Sequence, residues 1–409
     1  MATAESPATP GQLLSERIAP GILPKVLGPF DMVAIFVAIV LFANQGSVIQ
    51  AAGPAGFVYW ILGFVTFLIP GAIVTGQLGL MFPGEGSIYV WTHKALGNFW
   101  GFFAGFCAWW PGILVMVATA DLIVTMLQFL NSSNATFYGL VILALLGIEV
   151  PLNMGVEIKD RRAITSYLFW GSIVVMAAYL LLTFGAMVVV PQKDANSTTA
   201  ILQAVQIALG SGVSTVVTLI LIAFFLFNTT VYNYSFARLL FVSGLDRRLP
   251  QAMGRVNRNK VPHIAVLTQA VITTIITVLT FIVFSGNPNL STQVYLVLQA
   301  AVTVIWCLSM VMLFVDVLVI RSKFPTEFKR EQLAPSGVFV AASVAGAVAS
   351  GAGIWVTLTG SWNPQLIANG PWLLIVGGVT VVSLVVAVIV YLIGVTRKTP
   401  TATIQPSTA

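Results

Sequence analysis

Charge is what this 409-residue chain has least of. Only 8% of its residues are Asp, Glu, Lys or Arg, while 58% are hydrophobic. Soluble domains carry about 25% charged residues, so a water-soluble globule is excluded. Strict alternation of apolar and polar residues is also missing, which excludes a transmembrane barrel; runs such as 57–73 and 372–395 are continuous and read as helices. The two cysteines, Cys107 and Cys307, sit in separate apolar runs and read as buried thiols. They and the two histidines, His93 and His263, have no metal-ligand spacing, so neither a metal nor a cofactor is expected. No G-x-x-x-x-G-K-[ST] phosphate loop occurs, so no nucleotide hydrolysis and no enzymatic activity are expected. The first 28 residues lack the charged, apolar and cleavage segments of a signal peptide, and the first span is expected to remain as an anchor.

What is present is a series of ten expected spans, near 29–52, 55–80, 97–130, 136–155, 164–190, 212–243, 264–284, 292–320, 336–358 and 371–395. With the N-terminus inside, every lysine and arginine except Lys193 falls on the inner side. That asymmetry predicts two cytoplasmic ends in a multi-pass protein of the plasma membrane. The basic balance is then a matter of topology, and no nucleic-acid partner is called for. Gly97, Gly101 and Gly105 recur every fourth residue and predict a smooth helix face for close packing. Pro111 predicts a kink in the same span.

Two stretches are too polar for plain spans: "LFANQGSVIQAAGPAG" (41–56) and "GIEVPLN" (147–153). Unpaired peptide groups are costly in hydrocarbon, so an interrupted helix persists only where it faces protein or a cavity. Two such interruptions in one chain point to a secondary transporter built from inverted repeats, with a small charged solute held at the helix ends. Glu149, at mid-span, is expected to face the interior, either coupling proton uptake to solute movement or hydrogen bonding as a neutral acid. Asp121 lies nine residues inside its span, about 13 Å deep at 1.5 Å per residue, and has the same two readings. Asp31 and Asp316, near inner ends, read as interfacial. "FNTTVYNYSFARLL" (227–240) carries polar groups on more than one helix face, which fits either a cavity or interhelical hydrogen bonds. Of the sequons at Asn131, Asn134, Asn196 and Asn228, the last falls inside a span.

Four stretches carry a family resemblance: "LGPFDMVAIFVAIVLFANQGSVIQAAGPAG", "GQLGLMFPGEGSIYVWTHKALGNFWGF", "GIEVPLNMGVEIKDRRAI" and "ARLLFVSGLDRRLPQAMGRVNRNKVPHIA". Together they resemble the amino acid–polyamine–organocation superfamily of permeases, nearest its glutamate/γ-aminobutyrate antiporter-like branch. The resemblance implies an all-α membrane protein of the leucine-transporter type, with two inverted five-helix repeats followed by two further helices. Substrate, an amino acid or small amine, would lie between the broken first and sixth spans. By position, Asn44, Gln45, Gly46 and Ser47 fall on the first break and Gly147, Ile148 and Glu149 on the second. Glu149 matches a glutamate tied to proton-dependent gating in the family, and Asp121 is the second candidate for proton coupling. The first break reads Asn-Gln-Gly-Ser where the family usually has Gly-Ser-Gly. The third-span pattern also runs directly into the sixth, so the family's fourth and fifth spans are expected to be absent. The expected organisation is a tail at 1–28, an incomplete first repeat at 29–130, a second repeat at 131–320, two added spans at 321–395 and a tail at 396–409. The alternative reading is a truncated, transport-incompetent or regulatory relative.

Overall fold

A computed structural model of the chain describes residues 13–43, 45–50, 52–130, 162–191, 199–283 and 290–396. These residues are all-helical apart from turns and loops. In chain order they form α1 (Leu14–Ile22), α2 (Pro29–Val40), α3 (Gln45–Gln50), α4 (Ala55–Met81), α5 (Ser87–Leu96), α6 (Asn98–Leu130) and α7 (Arg162–Val189). There follow α8 (Ala200–Leu245), α9 (His263–Val283), α10 (Leu290–Lys323), α11 (Pro325–Arg330), α12 (Ser336–Thr359) and α13 (Asn369–Thr396). Eight of these helices, α4, α6 to α10, α12 and α13, are long and apolar enough to cross a membrane. α2 is a shorter apolar helix, followed after an interruption by the six-residue α3. The span expected at 136–155 lies outside the described residues.

Local chemistry sets the helix ends. Pro29 opens α2 with its φ already helical, and the Asp31 carboxylate accepts the Gly28 N–H at 2.8 Å. The interfacial acid is therefore a helix cap. In α4 the residues Phe64–Leu68 form a π turn just ahead of Pro70, absorbing the ring and its missing donor without ending the helix. α6 runs unbroken through Pro111. α8 begins twelve residues before the expected start at 212, because Gly210 adopts φ 84° and ψ 169° and joins a short helical segment to the long one. That backbone conformation is open to glycine at no steric cost.

α6 is the centre of the bundle: 78% of its most apolar stretch is buried, against 17% for α4. α10 packs along it, with α8 and α5 on other faces, and α12 lies behind α10. Two of the three stripe glycines pack as expected, whereas Gly97 precedes α6 with φ 93° and a Cβ there would meet nothing within 4 Å. A Cβ on Gly101 would lie 2.8 Å from the His93 Cα, and one on Gly105 would lie 3.0 Å from the Tyr89 ring, so α5 rests directly on the α6 backbone. Lipid-facing surfaces remain on the outside, where Val58, Leu62, Leu219, Leu374 and Val382 are exposed.

One end of the bundle gathers the basic loops. There α1 docks as a short helix within what the sequence presents as a polar tail. Its Ser15 N–H and hydroxyl both donate to the Asp246 carboxylate at 2.8 Å, and Glu16 pairs with Lys94 at 3.0 Å. Burial raises the Asp246 carboxyl above the usual carboxylate range, while hydrogen bonds from Ser15 and Tyr89 hold it back.

Candidate functional site

The first span breaks where the sequence places the break. α2 ends at Val40, Leu41 is extended, Phe42 is non-helical, and α3 restarts at Gln45. The freed carbonyls are not bare. Asn228 Nδ2 donates to the Ala38 carbonyl and the Tyr232 hydroxyl to that of Ile39, both from α8. From α7, the Tyr179 hydroxyl donates to the Val40 carbonyl at 2.7 Å and accepts the Phe42 N–H at 3.0 Å. Trp60 stacks on Tyr179 with ring centroids 4.3 Å apart and holds it in place. In hydrocarbon each unmet peptide group costs several kcal/mol, and here three side chains meet four of them. The polar run 227–240 therefore serves interhelical hydrogen bonding at Asn228 and Tyr232, which also explains a sequon asparagine inside a span.

The residues of the break divide as follows. Gln45 N–H and Gly46 N–H turn back onto the carbonyls of Phe42 and Ala43 at 2.9 and 3.3 Å. Gly46 is buried, and a Cβ there would stand 3.2 Å from Ile201 and 3.4 Å from the Thr183 amide. Ser47, also buried, accepts the Ile201 N–H at 3.2 Å and so caps the start of α8. Asn44, Gly147, Ile148 and Glu149 lie outside the described residues. Asp121 is 1% exposed on the inward side of α6, as an acid in a span should be. It does not line the cavity described next.

A cavity of about 650 Å³ lies along α2 as far as Ile39 and extends to the α4–α5 loop at the basic end. Its wall includes Met32 and Ile39 of α2, Tyr167 of α7, Ser235 and Phe236 of α8, and Trp306 of α10. Toward the basic end it meets Lys25 and the α4–α5 loop with Glu85. Glu85 pairs with Arg238 at 3.4 Å, and both are almost fully buried. Sequence reading missed this pair, placing Arg238 among inner loop charges; the partners are 153 positions apart and only the fold joins them. It also read Asp316 as interfacial. In the structure Asp316 is fully buried and accepts the Thr92 hydroxyl at 2.5 Å, because α5 folds back across α10. Among the described residues no group of three or more His, Cys, Asp or Glu could hold a metal.

A helical bundle with apolar outer faces and eight helices long and apolar enough to cross a membrane defines a polytopic membrane protein. The model of the family described as amino acid permease matches residues 30–146 and 124–404, and the chain belongs to that family. It is 31% identical over 105 residues to a probable agmatine/putrescine antiporter of Lactococcus lactis, covering 24% of this chain and 22% of that protein. It is 43% identical over 77 residues to a probable polyamine transporter of Arabidopsis thaliana, covering 18% and 15%. Thus the chain aligns with less than a quarter of the length of these two relatives. A longer match, 22% identical over 407 residues, reaches an uncharacterized transporter of Legionella pneumophila and covers 79% of this chain and 86% of that one.

Proposed function

We propose that the chain is a secondary transporter that carries an amino acid or a small amine across the plasma membrane, changing no covalent bond in it. The observation that carries this reading is the interrupted first span beside a cavity open toward the basic end. A helix is broken inside a membrane where a solute must meet peptide groups, and the printed names of the relatives supply the solute class. Substrate lies against Asn44, Gln45, Gly46 and Ser47 on one side and Gly147, Ile148 and Glu149 on the other. The hydrogen bonds that occupy the carbonyls of Ala38, Ile39 and Val40 leave the solute to the residues after the break. Glu149 carries the coupled proton, with Asp121 as the second acid. The basic end faces the cytoplasm, by the distribution of lysine and arginine.

The test is uptake into proteoliposomes of a panel of labelled amino acids and amines, with and without an inward proton gradient. Uptake of at least one substrate, accelerated by the gradient, is expected. Glu149→Gln should flatten the pH dependence while leaving exchange measurable. No uptake of any substrate favours the second reading, a transport-incompetent relative. That reading rests on the expectation that the family's fourth and fifth spans are absent from the chain.

A further inference from the structure

A second pocket, of about 230 Å³, lies between α6, α8, α9 and α13 in the half of the bundle nearest the basic end. Phe102 and Phe106 of α6 and Val386 and Val390 of α13 line it, and Leu249 and Met253 of the α8–α9 loop lie at its basic end. None of its lining residues is charged. The Thr268 hydroxyl is spent on the Met253 sulfur at 3.6 Å, and the indole N–H groups of Trp109 and Trp110 on Gln269 and Ser383. Such walls offer a water or a polar solute too few partners to hold it. The sides of the pocket reach lipid. On α9, Leu267 and Val271 are exposed beside the lining residues Thr268 and Ile272; on α13, Val385 and Ile389 are exposed beside Val386 and Val390. α9 and α13 both pack on α6 but hardly on each other, which leaves a seam between them.

The loop at the end of this seam is firmly seated and carries only positive charge. A Cβ on Gly244 would stand 2.7 Å from the Gly254 amide nitrogen, so the turn Gln251–Gly254 rests directly on the end of α8. The Arg248 carbonyl stands where a Cβ on Gly394 would be, which sets the loop against the last turns of α13 as well. The Asn257 side chain accepts the N–H groups of Asn259 and Val261 at 3.0 and 2.9 Å and fixes the remainder. Positions 247–315 contain no Asp or Glu. Arg255, Arg258 and Lys260 are exposed, and none of them forms an ion pair among the described residues. Asp246, the nearest acid in sequence, is turned to Ser15 of α1.

We propose that the pocket and the loop form a binding site for an anionic phospholipid of the leaflet at the basic end. One acyl chain lies in the pocket, and the phosphate headgroup lies on Arg255, Arg258 and Lys260. Apolar walls that open onto a bilayer take the chain that surrounds them, and the three cations select among headgroups that carry the same chain. The bound lipid fills the seam between α9 and α13 and ties α13 to the central helix. The site shares only Leu239 with the larger cavity and does not depend on the transport reading.

Native mass spectrometry of the full chain in detergent tests this, with equal amounts of palmitoyl-oleoyl phosphatidylglycerol and palmitoyl-oleoyl phosphatidylcholine as probes. Phosphatidylglycerol adducts are expected to exceed phosphatidylcholine adducts at least fivefold. R255Q/R258Q/K260Q, at three exposed positions, should bring the ratio close to one. K329Q/R330Q removes two exposed charges on α11 and should leave the ratio unchanged. V390F fills the pocket, keeps every charge, and should lower the adducts of both lipids at least threefold. I272F, on the opposite wall, repeats that test should V390F not be monodisperse. Excess glycerophosphoglycerol, the same headgroup without chains, should displace neither lipid. No preference in the wild-type chain overturns the proposal, as does a fivefold ratio retained in R255Q/R258Q/K260Q. An equal loss of preference in K329Q/R330Q also overturns it, since net charge alone would then explain the binding. Unchanged adducts in a monodisperse pocket-filling variant, or displacement by glycerophosphoglycerol, remove the acyl chain from the site and overturn it too.

Discussion

Tyr179 shows how much one side chain can do at a helix break. Its hydroxyl stands where a peptide group would, donating to Val40 and accepting from Phe42. Tyr179→Phe strands a buried carbonyl and a buried amide, each worth about 1–3 kcal/mol. The expected result is a clear fall in melting temperature in detergent, larger than for Tyr232→Phe, which strands one carbonyl only. His93 gives a pH signature. Burial lowers its pKa below the ordinary value of 6.5, and the nearby Arg248 and Lys94 lower it further. A basic group with a depressed native pKa contributes stability that is present above 6.5 and is lost as the pH falls toward and below the native value. Melting temperature should therefore drop on acidification from pH 7 to 5, and His93→Gln should make the drop shallower; identical profiles would remove His93 as the cause. None of these pairings is visible in sequence, because a hydroxyl in an apolar run advertises polarity but not its partner. Asp316 was misread for that reason: it sits five residues before Arg321, as a boundary acid would, while its partner Thr92 comes from a different helix.

Elements were far more legible. Spans announce themselves by length and hydropathy, and the first-span break by small and polar residues where a span should be oily. Two of the three stripe glycines, Gly101 and Gly105, predicted their own contact; Gly97 makes none. Gly101 and Gly105 differ in what they touch, which ranks them: a Cβ at Gly101 meets His93 backbone at 2.8 Å, whereas one at Gly105 meets only the Tyr89 side chain, at 3.0 Å. Gly101→Ala should then cost about 1–3 kcal/mol through overpacking, with Gly105→Ala milder, in thermal melts of both variants. Equal effects would mean that α5 is free to shift. α6 stays helical through Pro111, with its flanks clamped by Trp109 on Gln269 and Trp110 on Ser383, at 2.9 and 2.8 Å. α1 was illegible because a nine-residue helix has little intrinsic stability and forms here by docking on Asp246 and Lys94.

At the scale of the whole molecule, α1 closes over the basic end, and its Pro20 borders the cavity along with Lys25. Removing residues 1–23 should expose the cavity. With Cys107 and Cys307 replaced by alanine, S235C should react several-fold faster with a membrane-impermeant thiol reagent applied from the basic side; an unchanged rate would show that α1 covers nothing. The bundle's overall plan was readable from composition, since buried and lipid-facing surfaces are both apolar and only helices satisfy their own backbone there. The cavity was not, because residues from eight of the helices, α1, α2, α4 to α8 and α10, line it. The tyrosine bridge at the break has a mechanical corollary. By clasping the last residue of α2 and the second residue beyond it, α7 splints the two halves of the first span to each other. If that span tilts during a working cycle, α7 must ride along as its crossbar, and the pivot has to lie elsewhere.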